Sequence, residues 1–161
     1  AFYGPLLETL DAVRPYCLEA GVKIAVENLT GASADNFLKL FERLFSRYES
    51  DFLGLCYDSG HWEMIESGRV RILEQFGERL ISTHLHDNFS ATDDHLLPFD
   101  GRIDWELVTS AIASTPYSAP LNFETPKDKY QVSDRSFYEQ AFQVATRLEN
   151  MVAKARLSFR P

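Results

Sequence analysis

Four apolar segments of this 161-residue sequence each end in a side chain that can bind a metal ion. The segments are KIAVEN, FLGLCYD, LISTHLHD and PLNFET, and the ligand candidates at their ends are Glu27, Asp58, His84 and Glu124. Successive candidates are 31, 26 and 40 positions apart, and one strand with its helix and loops occupies roughly 30 residues or more. Because parallel strands point the same way, we expect the four side chains to meet at one rim of a sheet.

The segments between these strands predict helices, with broad apolar faces at helical spacing from about 34 to 48, from near 104, and from 134 to 156. Alternating strands and helices predict an α/β fold with parallel strands and right-handed crossovers. An open doubly wound sheet and part of a (βα)8 TIM barrel both satisfy this order. NLTGAS after the first strand lacks the GxGxxG phosphate loop. Polar ligands at four strand ends favour the barrel.

The predicted barrel is incomplete in this sequence. A (βα)8 barrel needs eight strands and about 200 residues or more, whereas four βα units are visible. We therefore interpret residues 1–161 as a single domain that corresponds to the C-terminal part of a TIM barrel, with the N-terminal half absent from this chain. Since half a barrel leaves two unpaired edges, a homodimer in which two copies complete each other is the alternative.

Composition restricts the partners and the compartment. The net charge of −8 argues against a general electrostatic attraction to nucleic acid. No apolar stretch approaches the roughly 18 residues that span a bilayer. Cys17 and Cys56 are expected to be reduced, packed thiols, which favours a cytoplasmic protein. We expect a small-molecule substrate and no membrane.

Three further motifs carry potential ligands. DSGHW contains His61 directly after the second strand. HLHD contains His86, which shares a strand face with His84 because side chains two apart point the same way. DDHLLPFDG contains Asp93 and His95 in a polar loop. The pairs around His61 and in the loop are weak signals alone, since capping residues and surface histidines produce them as well.

Carboxylate and imidazole ligands together suit Mn²⁺, Mg²⁺, Co²⁺ or Zn²⁺. A metal that holds the carbonyl and hydroxyl oxygens of a substrate acidifies the intervening C–H and stabilises an enediolate. Glu27 and Glu124 on opposite sides of that carbon could remove and return the proton. The same constellation could instead activate water against a phosphodiester.

The motifs VENLTG, YDSGHW, THLHDN, DDHLLPFDGRIDW and NFET, in this order, resemble the xylose-isomerase-like TIM-barrel superfamily. That superfamily contains sugar isomerases and epimerases and also the family 2 AP endonucleases of the endonuclease IV type. The resemblance runs from about Lys23 to Thr125 and implies a shared four-ligand metal site, made by Glu27, Asp58, His84 and Glu124.

The resemblance also gives roles to the remaining candidates. His61 would contact substrate in epimerase-like members, whereas His61, Asp93 and His95 would bind a further zinc in endonuclease-like members. His86 rivals His84 as the ligand, because some epimerases use the second histidine of an H-x-H motif. FDG replaces the usual G-x-G before IDW, so the conformation of that loop is expected to differ.

The leading hypothesis is a metal-dependent isomerase or epimerase that moves a proton next to the carbonyl of a carbohydrate or sugar phosphate. The alternatives are an AP-endonuclease-like phosphodiesterase and a non-catalytic, incomplete barrel. The acidic composition favours the small substrate over DNA.

Overall fold

Strands and helices alternate in the protein, as the sequence predicts. The computed structural model describes residues 3–159. The elements are α1 (Gly4–Ala20), β1 (Ile24–Glu27), α2 (Ala34–Arg47), β2 (Leu53–Asp58), α3 (Ser59–Ile65), α4 (Arg71–Phe76), β3 (Leu80–His84), α5 (Trp105–Ala113) and α6 (Asp134–Ser158), with 3₁₀ turns at Gly77–Arg79 and Lys127–Lys129. None of these helices combines the length and the apolar character that crossing a bilayer requires.

The three strands form one parallel sheet with β2 in the centre. In register, Glu27 lies beside Cys56 and Asp58 lies beside His84, so the strands end at nearly the same level. All six residues of β2 are buried, as expected for a central parallel strand covered on both faces. A parallel sheet with helical crossovers confirms the α/β fold and is consistent with part of a TIM barrel.

The expected fourth strand, PLNFET, is not a regular strand. Phe123 forms a single parallel bridge with Leu85, supported by backbone hydrogen bonds from Leu85 N–H to Asn122 O (2.8 Å) and from Glu124 N–H to Leu85 O (3.2 Å). Asn122 N–H donates to the Thr83 hydroxyl at 2.9 Å, which replaces a ladder bond. The segment still runs beside β3 and carries Glu124 to the rim.

A continuous apolar core holds the helices against the sheet. The inner face of α2 buries Phe37, Phe41 and Leu44, the spacing that an amphipathic helix requires. Ser33 caps the start of α2, since its hydroxyl accepts from Asn36 N–H. From the sheet, α5 and α6, the core receives Leu55, Tyr57, Leu85, Ile112 and Leu148. This packing fixes the strand ends relative to one another.

Candidate metal centre

Four side chains converge at the C-terminal rim of the sheet, three from strand ends and one from the irregular segment beside β3. We refer to them as the acidic cluster: Glu27, Asp58, His84 and Glu124. One ligand atom from each lies within 4.8 Å of the others. His84 Nδ1 is 3.2 Å from Glu27 Oε2 and 3.2 Å from Glu124 Oε2. The structure thus brings together the residues that the strand spacing singles out, while their role as ligands stays a prediction.

Two atoms of the acidic cluster are buried without a hydrogen bond. His84 Nδ1 and Glu124 Oε2 have no hydrogen-bond partner among residues 3–159, although the Glu124 side chain as a whole is partly exposed. A buried polar atom without a partner costs about 1–3 kcal/mol, so such atoms call for an explanation. A divalent cation would accept both lone pairs at once. Three carboxylates and one imidazole fit Mn²⁺, Mg²⁺, Co²⁺ or Zn²⁺.

Asn28 holds two members of the acidic cluster in register. Its Nδ2–H donates to Asp58 O at 2.8 Å, and its Oδ1 accepts from Asp58 N–H at 2.9 Å. The buried side-chain amide thereby extends the β1–β2 ladder past the end of β1. The sequence reasoning does not single out Asn28, although its position directly after the strand-end Glu27 is a usable signal.

A second group of ligand atoms lies beside the first. We refer to it as the histidine cluster: His61, His86, Asp93 and His95. One ligand atom from each again lies within 4.8 Å of the others. Asp93 Oδ2 is 3.2 Å from His61 Nε2 and 3.1 Å from His95 Nε2. All eight site residues predicted from the sequence are therefore in these two clusters.

The outer nitrogens of two imidazoles are already engaged by carbonyl oxygens. His61 Nδ1 is 3.1 Å from Asn28 O, and His95 Nδ1 is 2.8 Å from Glu124 O. Since a carbonyl only accepts, each Nδ1 carries a hydrogen, and in a neutral ring Nε2 then presents a lone pair to Asp93. Lone pairs facing a carboxylate are stable only with a cation between them or with protonated rings. Such outer hydrogen bonds are typical of metal-binding histidines.

Charge coupling within the histidine cluster is visible in the pKa values. Burial opposes the charged form of Asp93, but the charges of His95, His61 and His86 outweigh it and hold its pKa below the ordinary value. Burial likewise opposes the charged His95, yet its hydrogen bond to the Glu124 carbonyl and the charge of Asp93 raise its pKa. Without a metal, Asp93 and His95 therefore favour an ion pair.

The loop that carries Asp93 and His95 is organised by Asp87. This carboxylate is fully buried and accepts four hydrogen bonds. Its donors are Asn88 N–H (2.9 Å), Phe99 N–H (2.9 Å), Ile103 N–H (3.0 Å) and Trp105 Nε1–H (2.7 Å). His95 and Phe99 adopt positive φ angles of 50° and 78°, which cost about 1–3 kcal/mol each. The Asp87 network supports these conformations.

The Asp87 network also explains the glycine of the FDG segment. A Cβ at Gly101 would overlap the Asp87 carboxylate, so glycine allows the loop to close over Asp87. The sequence marks Asp87 only as one of the acidic or imidazole side chains at the end of LISTHLHD and assigns it no structural role, although an acidic residue after a buried strand is unusual without hydrogen-bond partners.

The cysteines lie outside both clusters and are free. Cys56 is on β2 near the acidic cluster, and burial raises the pKa of its thiol to about 12. Neither group of neighbouring ligand atoms contains a cysteine sulfur, so the candidate ligands are oxygen and imidazole nitrogen.

A parallel sheet flanked by helices, with its candidate ligands at the C-terminal strand ends, defines the class as a TIM-barrel-type α/β protein with a candidate metal centre. A sequence model of the family described as "Xylose isomerase-like TIM barrel" matches residues 4–149. The chain belongs to this family, as the motif resemblance indicates.

Individual relatives give the same fold. The chain is 60% identical to the uncharacterised protein y4fM of Sinorhizobium fredii over 96% of the chain and 50% of that protein. A xylose isomerase domain protein from Alicyclobacillus acidocaldarius superposes with a TM-score of 0.68 at 21% identity, covering 89% of this chain and 55% of that one. The IolI protein, solved with a zinc atom, gives 0.64 at 24% identity over 93% and 54%. The chain thus spans about half the length of these proteins.

Proposed function

We propose that this chain carries the metal ligands and the proton-transfer groups of an isomerase or epimerase that acts on a small sugar or sugar phosphate. The observation that carries the proposal is the convergence of two glutamates on His84 Nδ1. Each glutamate places one oxygen 3.2 Å from that nitrogen. Two of the three facing atoms, His84 Nδ1 and Glu124 Oε2, are buried without a hydrogen bond.

The two glutamates divide the proton transfer between them. One carboxylate removes a proton from the carbon next to the substrate carbonyl, and the electron pair of that C–H bond moves into an enediolate. The other glutamate returns a proton, either to the opposite face of the same carbon or to its neighbour. The first outcome is epimerisation. The second is aldose–ketose isomerisation, in which the hydroxyl proton of the first carbon also moves to the former carbonyl oxygen. Neither reaction gains or loses atoms.

The acidic cluster is proposed to bind one divalent metal, Mn²⁺, Mg²⁺, Co²⁺ or Zn²⁺. When bound, such a metal polarises carbonyl and hydroxyl oxygens. Asn28 keeps Glu27 and Asp58 in register, while β3 and the 120–124 segment carry His84 and Glu124. The zinc atom in the solved structure of IolI, a protein of the same fold, supports a bound divalent metal.

The histidine cluster has two proposed roles that an experiment can separate. In the isomerase reading, His61 lies next to the acidic cluster, with Nδ1 3.2 Å from Glu27 Oε1, and contacts the substrate. In the alternative reading, the cluster binds a second metal, and the two sites together hydrolyse a phosphodiester, as in an AP endonuclease. The tight grouping around Asp93 favours the second metal, whereas the net charge of −8 opposes DNA as the substrate.

We also propose that the chain is about half of a complete barrel. Among residues 3–159, β1 pairs with β2 alone, which leaves one strand edge open. A further half-barrel, or a second copy of this chain, would pair with that edge. Analytical ultracentrifugation distinguishes a homodimer from a monomer, and a homodimer would support completion by a second copy.

Deuterium exchange tests the proposed reaction. The protein is loaded with Mn²⁺ and incubated in D₂O with a panel of ketoses and aldoses, and incorporation at the carbon next to the carbonyl is followed by NMR. We expect incorporation with the wild type, loss with Glu124→Gln, and retention with Glu149→Gln, an exposed control on α6.

Two outcomes would replace the proposal. Cleavage of a DNA duplex at an abasic site in the presence of Zn²⁺, without sugar exchange, would establish the phosphodiesterase alternative. Metal binding without either reaction would favour the non-catalytic barrel.

A further inference from the structure

His86 belongs to the histidine cluster but faces Asp58 of the acidic cluster. Both side chains are fully buried. His86 Nε2 is 3.0 Å and 3.2 Å from the two Asp58 oxygens, whereas it is 3.8 Å from Asp93 Oδ1. An ionised carboxylate only accepts hydrogen bonds. Unlike His61 and His95, whose Nδ1 atoms face carbonyl oxygens, His86 has no acceptor at Nδ1, so its hydrogen belongs on Nε2. A nitrogen that carries a hydrogen has no lone pair left for a metal.

The rest of the His86 ring is closely packed. A Cβ at Gly60 would overlap the ring at Cε1, Nδ1 and Nε2, so the Gly60 backbone packs closely against the ring. Nδ1 is buried and has no hydrogen-bond partner among residues 3–159. A metal bound at Nδ1, about 2.0–2.1 Å away, would have to enter this closely packed region.

The residues around His86 fix the ring in this orientation. The Ser59 hydroxyl donates to His86 O at 2.7 Å and accepts from His86 N–H at 3.0 Å. The His95 ring stacks on the His86 ring with 4.1 Å between centroids and 12° between planes. Ser59 and Gly60, the two residues after Asp58, thus both serve to place His86 beside that carboxylate.

We propose that His86 is a positioning residue that orients the Asp58 carboxylate for the acidic cluster, and that it binds neither metal. Asp58 Oδ1 accepts from His61 N–H at 2.7 Å as well as from His86, so Oδ2 is the oxygen with more free capacity for a metal. The ligand set of the histidine cluster is then His61, Asp93 and His95. This inference rests on the proposed metal function of the acidic cluster.

A matched pair of substitutions tests the role of His86. Glutamine can place an N–H near the position of His86 Nε2, whereas asparagine reaches only as far as Nδ1. The affinity for Co²⁺ is measured by calorimetry and by visible absorption in an Asp93→Asn background, which removes the histidine cluster as a competing site. We expect His86→Asn to weaken Co²⁺ binding about 10- to 100-fold, the usual effect of losing an outer hydrogen-bond partner. His86→Gln should keep an affinity and a spectrum close to those of the parent.

The outcomes separate this inference from the proposed function. Equal affinities in the two variants, whether both retained or both lost, would overturn the positioning role. A parent protein that binds no Co²⁺ would overturn the metal function and this inference together. Should either variant fail to fold, ¹⁵N NMR of the wild-type histidine side chains reads the tautomer directly. We expect His86 to keep its Nε2–H with metal bound. A metal-shifted Nε2, or a ring with a hydrogen on Nδ1 and none on Nε2, would contradict us.

Discussion

The two clusters lie side by side at one rim but are held by different parts of the chain. The acidic cluster takes three members from strand ends, where parallel register aligns Asp58 with His84, and Glu124 from the segment bridged to Leu85. The histidine cluster takes His61 from the first turn of α3, His86 from just after β3, and Asp93 and His95 from an irregular loop. Strand-borne ligands are therefore placed by the sheet, whereas loop-borne ligands depend on the buried Asp87 network. The clusters also differ in chemistry, with mainly oxygen donors in one and mainly imidazole in the other.

The largest expected effect is at the glutamates of the acidic cluster. Glu27→Gln and Glu124→Gln each keep the side-chain volume but remove the base, so we expect deuterium incorporation to fall about 10²- to 10⁴-fold. NMR of the sugar in D₂O measures the loss. An unaffected rate in either variant would remove that glutamate from the proton transfer.

Asp87→Asn is expected to affect metal binding at the histidine cluster more than at the acidic cluster. An amide has one accepting oxygen, and its NH₂ group would face donors that Asp87 now satisfies. We expect a loss of about 3 kcal/mol in the free energy of unfolding, measured by urea denaturation, and weaker Zn²⁺ binding at the histidine cluster. The acidic cluster, which lies on the strands, should keep its metal affinity. Equal losses at both clusters would show that the loop and the strands are not independent.

Two neighbouring carboxylates in the loop allow a predicted metal ligand to be compared with a carboxylate that is not a predicted ligand. Asp93 faces the imidazoles, whereas Asp94 accepts hydrogen bonds from Phe89 N–H and from the Thr92 hydroxyl. Asp93→Asn should weaken Zn²⁺ binding at the histidine cluster by about 10-fold or more, and Asp94→Asn should leave it unchanged. Calorimetric titration with Zn²⁺ compares the two. Identical titrations would argue against Asp93 as a ligand.

The smallest expected effect is at the outer end of the loop. The Tyr130 hydroxyl donates to Asp100 at 2.7 Å and accepts from Leu97 N–H at 2.6 Å. Tyr130→Phe should lower the free energy of unfolding by about 1 kcal/mol, whereas Tyr138→Phe on the exposed face of α6 should not change it. If Tyr130→Phe weakened metal binding more at the acidic cluster than at the histidine cluster, the proposed dependence of the histidine cluster on the loop would be contradicted.

The acidic cluster could be predicted from the sequence because its members end apolar segments at βα spacing. The choice between His84 and His86 could not, since alternation places both on one strand face. The structure groups His84 with Glu27 and Glu124 and places His86 against Asp58. This difference arises from Gly60 and Ser59, whose contacts across the sheet no local pattern reveals.

Other features depended on contacts that are distant in sequence. The regular fourth strand was a wrong prediction, because the Thr83 hydroxyl binds Asn122 N–H where a ladder bond was expected. The loop conformation could not be predicted either, since the positive φ of His95 depends on the hydrogen bonds of Asp87. By contrast, the order of strands and helices required only local periodicity.

The most direct test of the proposed metal centre is a crystal structure of the Mn²⁺-loaded protein with anomalous diffraction at the manganese edge. We predict an anomalous peak among Glu27, Asp58, His84 and Glu124, with carboxylate oxygens from both glutamates and one histidine nitrogen in the coordination shell. His86 Nε2 should remain on Asp58, outside that shell. The absence of a peak at the acidic cluster, or a shell that contains His86 in place of His84, would contradict the account.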